Sequence, residues 1–190
     1  MALSKGIISA RKLIMDIGII DLTSINIEDL VWNRGAYLRF LPLNNADGRI
    51  VFGEKGAIIT INSQIEYEGR RRFTIAHELG HFEMHRTLFQ YHKDNSITLD
   101  CFKEGNQETE ANQFASELLM PEELFMKECK DKKFSPALLR DLSNRFQTSL
   151  TSVAFKYCEF GPHPLCLFFC NQNKVIYWKK SEDFNHFIYN

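Results

Sequence analysis

What this chain lacks narrows it first. Its 190 residues carry 23 Lys and Arg against 24 Asp and Glu, a formal net charge of -1, so no global positive field draws it onto nucleic acid or an anionic membrane. No apolar run approaches the roughly 18 residues of a membrane span, and the N-terminus does not read as a charged, apolar and small-residue leader. A soluble, cytoplasmic protein without a membrane partner is expected. The five cysteines, Cys101, Cys129, Cys158, Cys166 and Cys170, form an odd set with no CxxC pair. That excludes a disulfide framework and predicts free thiols in a reducing compartment. No stretch reads as a tail or linker. What remains is 44% apolar and 13% aromatic, with 16 phenylalanines, enough for one substantial core and a small appended unit.

The chemistry concentrates between Arg72 and His85, a helix-compatible stretch containing one intact HExxH, His77-Glu78-Leu79-Gly80-His81. Histidines four positions apart project from one side of a helix, roughly 40° apart around its axis, so both imidazoles can reach a single ion. Glu78 lies beside them, placed to take a proton from water rather than to bind the ion. Gly80 occupies a helical position that normally prefers alanine and predicts another backbone passing close by. His85 continues the ladder one turn beyond the pair and is read as a supporting or packing residue.

A catalytic zinc usually takes three protein ligands and keeps one position open. The third is expected from Glu108 to Pro121, a second helix ended by its proline. Glu108, Ala111, Asn112, Ala115 and Leu119 share one face, with alanines small enough for close helix approach. Glu110, Gln113 and Glu117 read as the wet side. Glu108 is therefore chosen over Glu110 as the third ligand, and Asn112, one turn on, is placed to hydrogen-bond the far nitrogen of a ligating histidine.

RFTIAHELGHF followed by ExxANxFAxxLLMP resembles the ImmA/IrrE family of zinc metallopeptidases, with both signatures in order and no key position missing. The resemblance implies Zn²⁺ on His77, His81 and Glu108, and Glu78 as catalytic acid and base. It also implies a bacterial or phage-related cytoplasmic protein that cleaves or otherwise inactivates a helix-turn-helix repressor or antitoxin.

The fold class predicted is α+β: a zincin-like region over residues 1–121, a helix-turn-helix-like helical region over 122–161, and a C-terminal β-hairpin over 162–190. Within the first region the pattern predicts a helix over 4–16, a short helix capped by Asn26, and three antiparallel strands near 37–41, 48–52 and 57–62. The strand from Ala57 to Asn62 is expected to be the free edge that receives a peptide. Residues 87–105 are read as a lid. Tyr91, His92, His85 and Arg86 are the candidates for stabilising the oxyanion or touching substrate. The helix ending near Phe160 offers only Lys156 as a positive side chain, poor equipment for DNA, so DNA binding by this chain alone is not expected. The hairpin near 165–178 is apolar on both faces and is expected to be buried. The function predicted is a zinc endopeptidase; the rivals are a zinc-fold binding protein or toxin-like partner that sequesters a repressor, and a DNA-associated regulator.

Overall fold

The computed structural model describes residues 3–53, 56–90 and 106–186. Helix α1 (Lys5–Ile17) begins where the Ser4 hydroxyl accepts from the Ile7 N–H and ends at Gly18, whose φ of 68° supplies the left-handed cap. Helix α2 (Ile27–Asn33) is capped as expected, by the Asn26 side chain accepting from the Glu28 N–H. Three strands follow, β1 (Ala36–Leu41), β2 (Gly48–Gly53) and β3 (Gly56–Asn62). Then come helices α3 (Glu68–Gln90), α4 (Asn106–Leu119), α5 (Glu122–Cys129), α6 (Pro136–Phe146) and α7 (Leu150–Phe160), and a hairpin of β4 (Cys166–Asn171) and β5 (Lys174–Lys180). The α+β class is as expected.

The sheet departs from the expectation in its order. The strands run β1-β3-β2, with β3 parallel to β1 and antiparallel to β2. The sheet is therefore mixed, and Ala57 to Asn62 is its centre, not a free edge. The reason lies in the strand's own composition. Ala57, Ile59 and Ile61 are buried on one face and Thr60 on the other, where Ile58 stays exposed, so the strand is covered more fully than an edge strand would be. Thr60 reconciles its hydroxyl with that position by accepting from Arg39 Nε at 2.9 Å. The strand left outside, on the side of α3, is β2.

The connection from β1 to β2 is held in place rather than loose. The Asn62 side chain donates to the carbonyls of Leu43 and Ala46 and accepts from the Leu43 N–H. Arg70, in the first turns of α3, forks onto both carboxylate oxygens of Asp47 at 2.7 and 2.9 Å. The basic run 70–72 therefore splits. Arg70 ties down the loop, while Arg72 is buried and donates to the Leu22 carbonyl at 3.2 Å.

Helix α4 lies between α1 and α3. A Cβ on Gly80 would meet the Phe114 ring at 2.9 Å, whereas a Cβ on Gly6 would meet the Glu110 carbonyl oxygen at 2.2 Å. The close neighbour of Gly80 is thus a buried ring, and the close backbone approach occurs at Gly6 instead. The side of α4 expected to be wet is also covered. Glu117 is only 2% exposed; it accepts from Lys156 Nζ at 2.7 Å and from Arg11 Nε at 2.8 Å.

The C-terminal hairpin is not buried as expected. Phe169 and Tyr177 stack on each other and against Phe155 of α7, but Phe168, Val175, Ile176 and Trp178 are exposed. A two-stranded ribbon packed on one helix can cover one face only. The described cysteines, Cys129, Cys158, Cys166 and Cys170, are free thiols. No helix among the described residues is long and apolar enough to cross a membrane.

Candidate metal centre

Helix α3 is apolar where it meets the sheet and α4: Ile75, Ala76, Leu79 and Phe82 are buried. That packing turns His77 and His81 toward the N-terminal end of α4. Their Nε2 atoms lie 3.1 Å apart. Glu108, in the first turn of α4, brings Oε2 to 3.3 Å from His77 Nε2 and Oε1 to 3.2 Å from His81 Nε2. Two donors that each sit about 2.0–2.1 Å from a tetrahedral ion are separated by about 3.3 Å. The two nitrogens and the two carboxylate oxygens, one facing each ring, therefore converge at spacings close to those of a divalent ion's ligands, and two imidazoles with one carboxylate are a suitable donor set.

The outer nitrogens of both rings are engaged. Asn112 Oδ1 lies 3.0 Å from His77 Nδ1; with that nitrogen donating, Nε2 presents its lone pair inward. His81 Nδ1 lies 3.0 Å from His85 Nδ1, and His85 Nε2 lies 3.0 Å from Glu110 Oε2. A chain of His81 donating to His85, and His85 donating to the Glu110 carboxylate, fixes the second ring in the same tautomer. Lys5 approaches the far end of that chain, its Nζ 3.6 Å from Glu110. Asn112 and His85, read from the sequence as supporting residues, lie against the Nδ1 atoms of His77 and His81. Glu110 was passed over as solvated because two residues along a helix is about 200° of rotation. That opposite side faces α1 and the end of the histidine ladder.

The electrostatics follow from these contacts. Where Nε2 is protonated instead, His77 and His81 donate to the Glu108 carboxyl and hold it well below the usual carboxylate range, against the opposing effect of burial. Burial opposes charging of His77, but the hydrogen bond it donates to Glu108 and the fields of Glu78 and Glu108 outweigh burial and raise its pKa. Burial lowers that of His85, with Glu110 pulling the other way.

Glu78 is buried at the wall of an open cleft of about 340 Å³ that also contains His77, His81 and Glu108. The opposite wall is the loop from Asn45 to Asp47 and the start of β2, Gly48 to Ile50. A Cβ on Gly48 would stand 2.6 Å from Glu78 Oε1, so the β2 backbone reaches the carboxylate only because no side chain intervenes. Sequence reasoning missed Gly48 and its loop; the Asn-Asn-Ala-Asp-Gly run reads as a turn and carries no chemical signal. Among the oxyanion candidates, Arg86 is exposed, lies over the Phe82 ring at 5.4 Å, and does not line the cleft. His85 is sequestered behind His81. Tyr91 and His92 lie outside the described residues.

Comparison with known proteins gives concordant results. The model of a peptidase family described as the IrrE N-terminal-like domain matches residues 33–157. The radiation response metalloprotease IrrE of Deinococcus radiodurans is 31% identical over 147 residues, covering 74% of this chain and 42% of that protein. The protein of the same name from Deinococcus deserti is 32% identical over 143 residues, covering 72% and 47%. The chain thus spans less than half the length of these curated relatives. Among solved structures, a Mycobacterium tuberculosis transcriptional regulator superposes with a TM-score of 0.65 at 16% identity, over 94% of this chain and 55% of that one, a likeness of fold.

Proposed function

Since the chain belongs to the IrrE N-terminal-like family of peptidases, we propose that it is a zinc-dependent endopeptidase whose target is a helix-turn-helix repressor or antitoxin. The observation that carries the reading is the convergence of His77 and His81 Nε2, 3.1 Å apart, with the two Glu108 carboxylate oxygens, each 3.2 to 3.3 Å from one ring, with Glu78 in the same cleft.

His77, His81 and Glu108 are the residues that would hold the ion. When bound, Zn²⁺ supplies Lewis acidity, polarising the scissile carbonyl and making water a better nucleophile near neutral pH. Glu78 accepts the proton of the attacking water at a carboxylate oxygen and delivers it to the leaving nitrogen, so that the peptide C–N bond breaks as the new C–O bond is retained. Asn112 and the His85–Glu110 pair keep the imidazoles from rotating. Strand β2 pairs only with β3 among the described residues, and its first residues line the cleft. An extended peptide adding to that outer edge would pass its backbone across the Glu78 carboxylate.

DNA binding by α7 gains no support. Lys156, its one basic residue, is 2% exposed and is paired with Glu117, so it has no ammonium to offer a phosphate.

The test is Glu78→Gln in the zinc-loaded chain, incubated with the product of a neighbouring repressor gene. The amide cannot accept the water proton, so repressor fragments seen by mass spectrometry with the parent protein should disappear while zinc content and repressor binding persist. Repressor inactivation that survives the substitution would favour capture without cleavage.

A further inference from the structure

A second cavity opens beside the metal cleft, and Phe73 and Asn112 line both. It is the larger of the two, about 640 Å³, and lies between α4 and α7. Its apolar surface comes from Ile7, Phe73, Phe155 and Phe160. Phe155 is held in place by stacking on Phe169, 5.0 Å between ring centroids.

The charged groups at its walls are already matched. Lys156 Nζ is 2.7 Å from Glu117 and 4.5 Å from the centre of the Phe160 ring, and Lys179 pairs with Glu159. A group entering this groove therefore meets phenyl faces and the hydroxyls of Ser116, Thr151 and Ser152, with each described cation at the wall already facing a carboxylate. A charged side chain would give up its water without a partner, whereas a large apolar one would exchange water for aromatic contact.

We infer that this groove is a side-chain subsite for the peptide substrate, taking a large aliphatic or aromatic residue some positions away from the scissile bond. The inference rests on the peptidase reading for its occupant. A peptide lying over the three ligands has only to cross Asn112 and Phe73 to place a side chain between α4 and α7. Since Asn112 also holds His77, the residue seated there and the metal centre share a wall. The groove thus selects where along a target the cut falls, favouring a site with an apolar residue at a fixed offset.

The experiment uses the zinc-loaded full chain and a randomised decapeptide mixture, with cleavage products sequenced by mass spectrometry. The parent should enrich Phe, Tyr, Trp, Leu or Met, and reject Asp and Glu, at one position offset from the cut. Ser116→Phe fills the groove from α4 and should reduce that preference by about tenfold or more. The fall in kcat/KM should be greater for a peptide carrying Phe at that position than for one carrying Ala. If Ser116→Phe fails to fold, Thr151→Trp fills the groove from α7 instead. A preference unchanged in the filled variant, or no preference at any position in the parent, overturns the proposal.

Should the parent cut no peptide at all, the peptidase reading fails separately, and the groove is judged by titrating N-acetyl-phenylalaninamide and following NMR shifts. Shifts at Phe155 and Phe160 that Ser116→Phe abolishes keep the groove as an apolar side-chain site. Their absence removes it.

Discussion

The substitution Gly48→Ala tests the claim that the first residue of β2 sets the position of the Glu78 carboxylate. Gly48 is not among the glycines at positive φ, so alanine meets no backbone obstacle there. What it meets is side chain: the new Cβ would stand 2.6 Å from Glu78 Oε1, 2.8 Å from Thr74 Cγ2 and 2.9 Å from Glu78 Cγ. Ordinary contacts begin near 3.5 Å, so the carboxylate must retreat by roughly 1 Å. A displacement of that size at a reacting group costs on the order of 10²-fold in rate. Overpacking should cost about 1–3 kcal/mol, offset by about 0.4–1 kcal/mol from the reduced freedom of the unfolded chain. The protein should therefore still fold, and it should retain zinc, since Glu78 is not one of the three donors.

The assay is kcat/KM on a cleaved peptide, with zinc content and a thermal melt measured on the same sample. Gly53→Ala, at the other end of β2, is the control: its Cβ would meet only the Gly56 carbonyl oxygen, at 3.6 Å, and activity should not change. Turnover by Gly48→Ala within about threefold of the parent would refute the reasoning, because a carboxylate able to move that far without loss is not the positioned base.

Other expectations follow from the contacts. Glu117→Leu strands Lys156 in the core without its partner and should cost about 3–5 kcal/mol in urea denaturation; Lys156→Met should cost less, because Glu117 keeps Arg11 2.8 Å away, and the reverse order would show that Lys156 is not the dependent partner. The hydrogen bond from Arg145, aided by those from Thr23 and opposed by burial, brings the Asp21 carboxyl from 3.8 down to about 2. Its contribution to stability is therefore present above the unfolded value and is lost as pH falls from about 3.8 toward 2; thermal melts of Asp21→Asn should lack that part of the acid dependence, and parallel curves for the two proteins would refute it. Chelation should lower the melting temperature and added zinc restore it, an effect that Glu108→Ala should greatly reduce. Because the pKa of His77 is raised, protons compete with the ion, and zinc affinity measured by competition should fall as pH drops through that raised value.

How much of this was legible in the residues depended on how local the physics was. The HExxH spacing and the Glu108 face are single-helix geometry, legible in the sequence because rotation per residue is fixed. The Asn26 cap is equally local. What failed was everything decided between elements. Strand order is not a local property: three short apolar runs in succession read as antiparallel neighbours, and only the Ala-Ile-Ile-Thr-Ile run from Ala57 to Ile61, too apolar for an edge, points to the central place that the sheet gives it. Glu117 looked solvated because a carboxylate on a helix usually is; its partners come from α1 and from α7, 39 residues on in the chain in the case of Lys156. The hairpin was judged by composition alone, which cannot say whether a covering layer exists.

The failure at Glu117 points to what surrounds α4. One side of that helix carries Glu108 and Asn112 to the two histidines. The opposite side gives Glu110 to His85 and Glu117 to Lys156 and Arg11. Its two flanks are admitted by glycines, Gly80 against the Phe114 ring and Gly6 against the Glu110 carbonyl. Removing any one of these constraints leaves the motif residues untouched yet changes the distance over which Glu108 must reach. With the two imidazoles rigid on α3, a shift of α4 by about 1 Å would open the 3.2 and 3.3 Å carboxylate separations beyond what two ligands of one tetrahedral ion can span. The capacity to hold a metal is thus a property of how three helices dock, and Gly6, which no motif marks, bears on it as directly as the histidines do.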